Sequence, residues 1–322
     1  MVTQMTHNQR YNIYIASDAS DGGIYHYILD DKPEFVEKIP LERVQYGLVC
    51  DDKMHLLLRD KEDNGSLVSF DVDSNGMLKK QTASVSTKGK VACHLCCDKG
   101  NIYVTNYISE NVIKTPEKIV MHRGNSTHKF RQASPHPHFV CVTPDDKYIA
   151  VVDLGIDAVV VYDKELNFVS KAEVPKGQGA RHIAFSNCGK TAFVANELGS
   201  TVSVFDYCNG CFTLKETVNT LFENALENFP AAIKFYDYLY VSNRGDDSIS
   251  CFSYENKKLT LKSVTKVCGK CPRDFEIFGK TMVCANQESN NVTLFSVNGE
   301  ELKYIGEISV PSPVCVIGCE VK

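Results

Sequence analysis

The chain has 322 residues, 43% of them hydrophobic and 23% charged, with a formal net charge of −5. That composition is globular, and the length admits two domains or one repetitive all-β domain spanning residues 1–322; the repeats below favour the single domain. The sequence has no uncharged apolar run of 18 residues, no apolar core in its opening "MVTQMTHNQR" and no long basic tract, so no membrane span, export signal or nucleic-acid surface is expected and a cytoplasmic location is.

Taken in chain order, the segments repeat one grammar. Residues 11–31, "YNIYIASDASDGGIYHYILDD", read as a second and a third strand with no first strand ahead of them. Fuller copies follow: "YGLVCDDKMHLLLRDKEDNGSLVSFDV" from 46, "ACHLCCDKGNIYVTNYISENVI" from 92, "HPHFVCVTPDDKYIAVVDLGIDAVVVYD" from 136 and "ARHIAFSNCGKTAFVANELGSTVSVFDY" from 180. "FPAAIKFYDYLYVSNRGDDSISCFSYE" from 229 and "CPRDFEIFGKTMVCANQESNNVTLFSV" from 271 complete the series. Each copy has a short apolar strand, a polar turn, a second strand ending in Asn or Asp, and an alternating third strand. Period-two alternation and Gly/Asn/Asp turns argue strand over helix throughout. The anchors Gly47, His94, His138, His182, Ala231 and Asp274 recur at roughly 40 to 50 residues, the period of four-stranded propeller blades. The final "SPVCVIGCEV" is a first strand without successors, and would complete the opening half-repeat. The expected fold is an all-β, seven-bladed propeller of four-stranded antiparallel blades, its ring closed by the C-terminal strand.

In such a ring, the first-strand entrances and second-strand exits surround one mouth of the channel. The entrances supply Cys93-His94, His136-Pro137-His138, Arg181-His182 and Arg273-Asp274. The exits supply Asp18, Arg59-Asp60, Asn106-Tyr107, Asp153, Asn196-Glu197, Asn243-Arg244 and Asn286-Gln287. Asn196, Asn243 and Asn286 recur at one position and suit a turn role. The arginines and histidines do not, because burying them near a channel is costly without a partner. The stretch "MHRGNSTHKFRQASPHPH" adds His122, Arg123, His128 and Arg131 in a loop that would reach the same face. A basic rim on an acidic protein points to a small anionic ligand, a carboxylate or phosphate held by Arg forks. Alternation along the strand turns His182 away from Arg181, toward the packing between blades.

The 14 cysteines lie mostly in strand-like runs and read as reduced, buried thiols. Three Cys-x-x-Cys pairs occur at 93–96, 208–211 and 268–271. The register puts the second and third at opposite faces, which argues against a shared zinc. No metal or other cofactor is expected.

"RQASPHPHFVCVTPDDKYIAVVD", "GARHIAFSNCGKTAFVANELGS", "SNRGDDSISCF" and "CPRDFEIFGKTMVCANQESNNVTLF" resemble the seven-bladed propeller lactonases, which include bacterial 6-phosphogluconolactonases and the fungal carboxy-muconate cyclase. The likeness runs from about residue 131 to 297; the outer part of blade three, "NVIKTPEKIVMHRG", departs from it. It implies that a His of "HPH", Arg181, Glu197 and Arg244 carry lactone chemistry, with His138 favoured over His136 because it starts the inner strand. It adds Arg131, Gln132 and Arg273 as substrate contacts, and His136, Asn286 and Gln287 complete the expected binding set. Chemically, Glu197 or His138 would be a base tuned toward neutrality, with Arg181 and Arg244 on the oxyanion. The expected activity is metal-independent hydrolysis of 6-phosphogluconolactone in the pentose phosphate pathway, by a monomer or weak homodimer. A carboxy-muconate cycloisomerase and a non-catalytic propeller scaffold are the alternatives.

Overall fold

The computed structural model describes residues 10–30, 32–223 and 227–320, and none of them is helical. Seven antiparallel sheets form the blades of a ring, and the C-terminal strand Pro313–Glu320 is the inner strand of blade one, paired with Tyr11–Ser17. This is the expected seven-bladed propeller with its expected closure. Two blades depart from the regular pattern. In blade two the outer strand is split, with Leu78–Lys79 and Val85–Lys90 both pairing with Asn64–Val72. In blade three the outer strands Asn111–Lys114 and Lys118–Met121 have only 4 residues each.

Strand alternation distributes the core between neighbouring blades. In Tyr11–Ser17, Ile13 and Ile15 pack with Val283, Val292 and Leu294 of blade seven, while Tyr14 and Ala16 pack with Met54, Leu56 and Phe70 of blade two. A separate apolar cluster fills each of the seven blade junctions. Each large side chain buried there contributes roughly 1.5–3 kcal/mol of transfer free energy. Without tryptophan, tyrosines take the bulkiest positions and join blades by their hydroxyls. Tyr14, Tyr103 and Tyr240 donate to the carbonyls of Gly76, Lys164 and Gly299, in a turn of the next blade, at 2.5, 2.7 and 2.6 Å.

The recurring second-strand asparagines are wholly buried framework. Asn196 Nδ2 donates to Thr201 and Ser203, Asn243 Nδ2 to Ser248 and Ser250, and Asn286 Nδ2 to Thr293. In blade four Asp153 stands at this position. Its Oδ1 accepts from the backbone N–H groups of His136, Gly155 and Ile156, and its Oδ2 faces His122 Nδ1 at 2.6 Å. His122 is thereby part of the framework.

Candidate active site

The inner strands do not enter the ring as plain extended strands. In blade five Ala180 pairs with Asn196 and His182 with Ala195, so Arg181 is an extra residue, bulged out of the ladder. The same one-residue slip falls at His138 in blade four, Arg273 in blade seven, Cys93 in blade three, Gln45 in blade two and Val314 in blade one. In blade six Ala231 and Ala232 span the equivalent slip. In five blades the backbone turns left-handed two residues earlier, at Arg43, Val91, Gly179, Cys271 and Ser312 (φ +49, +55, +67, +58 and +42°).

All six bulged side chains line one cavity of about 170 Å³ at the mouth of the channel. Asp18, Arg59 and Gln287 join them from second-strand exits. The residues that follow the bulges form a floor. The rings of Tyr46 and His94 lie 4.0 Å apart, His94 and Phe139 3.8 Å, and Phe139 and His182 4.7 Å. The bulge corrects the expectation for His182. Its ring lies in the channel wall rather than between blades, and Nε2 accepts from Arg181 Nη1 at 2.9 Å.

Behind the cavity wall, Glu197 is the centre of an arginine node. Its Oε2 lies 3.0 Å from Arg181 Nε and 2.7 Å from Arg244 Nη2, and its Oε1 pairs with Arg131 of the long loop. Arg131 also reaches the Tyr107 hydroxyl at 3.5 Å, and Tyr107 stacks on His136 with centroids 4.2 Å apart. A second anchor, Asp18, holds Gln45, Arg59 (3.2 Å) and Arg43 (3.3 Å). Arg273 is bonded only to Gln287 Oε1, at 3.2 Å, and has no carboxylate at ion-pair distance among the described residues.

The structure therefore places His138, Arg181, Arg273 and Gln287 on the cavity. Glu197, Arg131 and Arg244 stand behind Arg181 as its charge support, and His136 is stacked on the rim. Two expected binding residues are elsewhere. Asn286 is turned into its blade, and Gln132 is buried in the long loop, donating to Leu154 O and Asp157 and accepting from His128 N. Each spends its amide on the framework, leaving none for a ligand. The sequence places Asp18, Arg59 and Cys93 at the mouth without a binding role and does not single out Gln45, yet all four line the cavity. Their signal was present, since Asp18, Arg59 and Cys93 occupy the same entrance and exit positions as the residues chosen.

The electrostatics also correct the expected tuning. Burial by itself would weaken Glu197 as an acid, but Arg244, Arg181 and Arg131 outweigh it and hold its carboxyl far below the usual range. Glu197 is a permanent anion and a poor base. Burial, then Arg181, pushes His138 well below 6.5, so its imidazole is neutral at physiological pH. Its Nδ1 is buried without a partner. Burial, then Arg244, brings Arg181 down to about 9, still protonated at pH 7.

The cysteines are less buried than expected. Cys96, Cys251, Cys284 and Cys315 are buried, Cys188, Cys208, Cys211 and Cys268 are exposed, and the other six are intermediate. Cys208 and Cys211 face each other across a turn of blade five, while Cys268 and Cys271 precede the inner strand of blade seven.

Fold and site together define a propeller with a cationic small-ligand cavity at one mouth. The chain belongs to the lactonase family of seven-bladed β-propellers, whose family description, "Lactonase, 7-bladed beta-propeller", matches residues 12–318. An uncharacterised protein of Staphylococcus aureus strain MSSA476 is 31% identical over 321 residues, covering 90% of this chain and 93% of its own. The crystal structure of a Lactobacillus plantarum protein is similar with a TM-score of 0.88 at 26% identity, over 97% of this chain and 100% of that one. A Bacteroides fragilis protein described as a candidate 6-phosphogluconolactonase has a TM-score of 0.89 at 24% identity, over 99% and 100%. The Pseudomonas aeruginosa periplasmic gluconolactonase has a TM-score of 0.87 at 22% identity, over 97% and 100%. The last two likenesses establish the fold alone.

Proposed function

We propose that the protein hydrolyses a phosphorylated sugar lactone, with 6-phosphogluconolactone as the foremost substrate. One observation carries the reading: three guanidinium groups, Arg59, Arg181 and Arg273, face a single small cavity beside the neutral imidazole of His138. Arg59 is balanced by Asp18 and Arg181 by Glu197, which leaves Arg273 free to take an anionic group of the substrate. Membership of the lactonase family supports the same chemistry.

In this mechanism Arg181 donates to the lactone carbonyl oxygen and stabilises the oxyanion as it forms. Water attacks the carbonyl carbon while a ring nitrogen of His138 takes its proton. The carbonyl re-forms, the ring C–O bond breaks, and the departing alkoxide takes the proton back from His138. Glu197 touches no reacting atom. It keeps Arg181 charged and aimed at the cavity. No step calls for a metal ion.

The test is the rate of 6-phosphogluconolactone opening with and without protein in one buffer, because the lactone also opens unaided. A large enhancement that is lost in Arg181→Ala supports the reading; no enhancement by the native protein overturns it.

A further inference from the structure

At the face opposite the mouth, the seam between blades two and three ends in sulfur. Strand alternation sets this up. In the inner strand Val44–Cys50, Tyr46 and Leu48 pack into the seam against Leu95 of blade three, and Cys50 follows them on the same side. In the facing strand Ala92–Asp98, Leu95 packs into the same seam, and Cys97 follows it two residues on. Both thiols therefore emerge where the apolar packing stops. Between Cys50 and its hairpin partner Lys53, the chain turns through Asp51 and Asp52, both left-handed (φ +52 and +56°). This brings the Asp51 carboxylate back over the sulfurs. The Cys50 Sγ, Cys97 Sγ and an Asp51 carboxylate oxygen all lie within 4.8 Å of one another, and among the described residues no other group of three His, Cys, Asp or Glu ligand atoms is gathered so closely.

We propose that Cys50, Cys97 and Asp51 form a site for a thiophilic divalent cation of the zinc class, clamping blade two to blade three. Two thiolates and a carboxylate make a donor set for tetrahedral zinc, with water completing the shell. Zn–S distances near 2.3 Å put tetrahedral ligand atoms roughly 3.5–3.8 Å apart, so the present spacing needs only small side-chain rotations. Binding exchanges two thiol protons for one cation. The two cysteines come from different blades, so the assembled ring binds the metal and the unfolded chain holds no such site; binding therefore stabilises the ring. The clamp falls beside blade two, whose outer strand is split. It lies at the far ends of strands whose bulged residues Gln45 and Cys93 line the mouth, which makes it a structural site remote from the cavity.

The experiment uses reduced, chelator-treated protein in a Cys188→Ser, Cys208→Ser, Cys211→Ser, Cys268→Ser background, which removes the four exposed thiols. Titration with CdCl2 should give a thiolate-to-cadmium charge-transfer absorption saturating at one equivalent, and ZnCl2 should raise the Tm. Cys50→Ser and Cys97→Ser should each abolish both signals. Asp51→Asn, a change at an exposed turn, should weaken binding by about tenfold or more while leaving the fold intact. The proposal is overturned if the parent takes up no metal, if the serine variants keep the absorption, or if Asp51→Asn binds as the parent does. A Cys50–Cys97 disulfide in oxidised protein, with no metal uptake once it is reduced, also overturns it.

Discussion

Arg181 and Glu197 meet at 3.0 Å with side chains only 2% and 4% exposed, and the arginine is the bulged residue that faces the cavity. A buried carboxylate thus fixes the direction of a buried guanidinium. Removing one partner leaves the other charge uncompensated, and here Glu197 also serves Arg131 and Arg244. Glu197→Ala should destabilise the fold by about 3–5 kcal/mol, measured by denaturant unfolding. It should lower kcat more than it raises KM, because it misplaces Arg181 without removing a substrate contact.

Arg181 and Arg273 differ in partner, and so should differ in kinetics. Arg181→Ala should cost about 10²–10³-fold in kcat, the usual loss for an oxyanion donor. Arg273→Ala should act mainly on KM, and more for a phosphorylated lactone than for its neutral analogue. Equal losses on both lactones would remove Arg273 from the role of anion holder.

The pH profile should separate His138 from Glu197. With burial and Arg181 holding His138 well below 6.5, the base stays active as pH falls through 6.5, and the acid limb of kcat/KM should lie well below that value. The alkaline limb should fall near 9 as Arg181 begins to lose its proton. His138→Gln should cost about 10²–10⁴-fold and abolish the acid limb, after subtraction of spontaneous opening.

Stability should drain away in mild acid. Burial lowers His26 to about 4, and it lowers His55, His94, His138 and His182 as well. These rings take up protons in the unfolded chain as pH falls through about 6.5, whereas the folded protein keeps them neutral. Their contribution is therefore complete above 6.5 and shrinks toward the lowered folded values. Each such ring costs about 1.4 kcal/mol per pH unit within its window. Urea unfolding at pH 7 and pH 5 should show a loss of several kcal/mol, and an unchanged midpoint would contradict the burial of these imidazoles.

Asn286 and Gln287 are adjacent but belong to different parts of the protein. Asn286→Ala should cost about 1–3 kcal/mol of stability through its lost buried hydrogen bonds and leave KM unchanged. Gln287→Ala should leave stability nearly unchanged and raise KM, because Gln287 steadies Arg273 at the cavity.

The sequence by itself determined the blades, their order and the closure of the ring. Those features rest on local physics: alternation at period two, turn residues at fixed offsets, and half-repeats at the two ends that complete each other. It also marked the rim, since "HPH", "ARH" and "PRD" put large polar and charged side chains where small turn residues would serve a structural role. Only the tertiary structure decided which of these side chains face the cavity. One bulged residue per inner strand turns Arg181 and Arg273 inward, and places the following His182 and Asp274 in the channel wall as well, which strict alternation along a strand does not anticipate. Likewise, Arg131, Arg181 and Arg244 come from different blades and loops, and their joint hold on Glu197 exists only once neighbouring blades are packed together. Coulomb energy depends on distance in space, so a carboxylate that reads as a tunable base in one strand becomes a fixed anion among three guanidiniums. The same reason hid Cys50 and Cys97, which are 47 positions apart in the chain and meet at one seam.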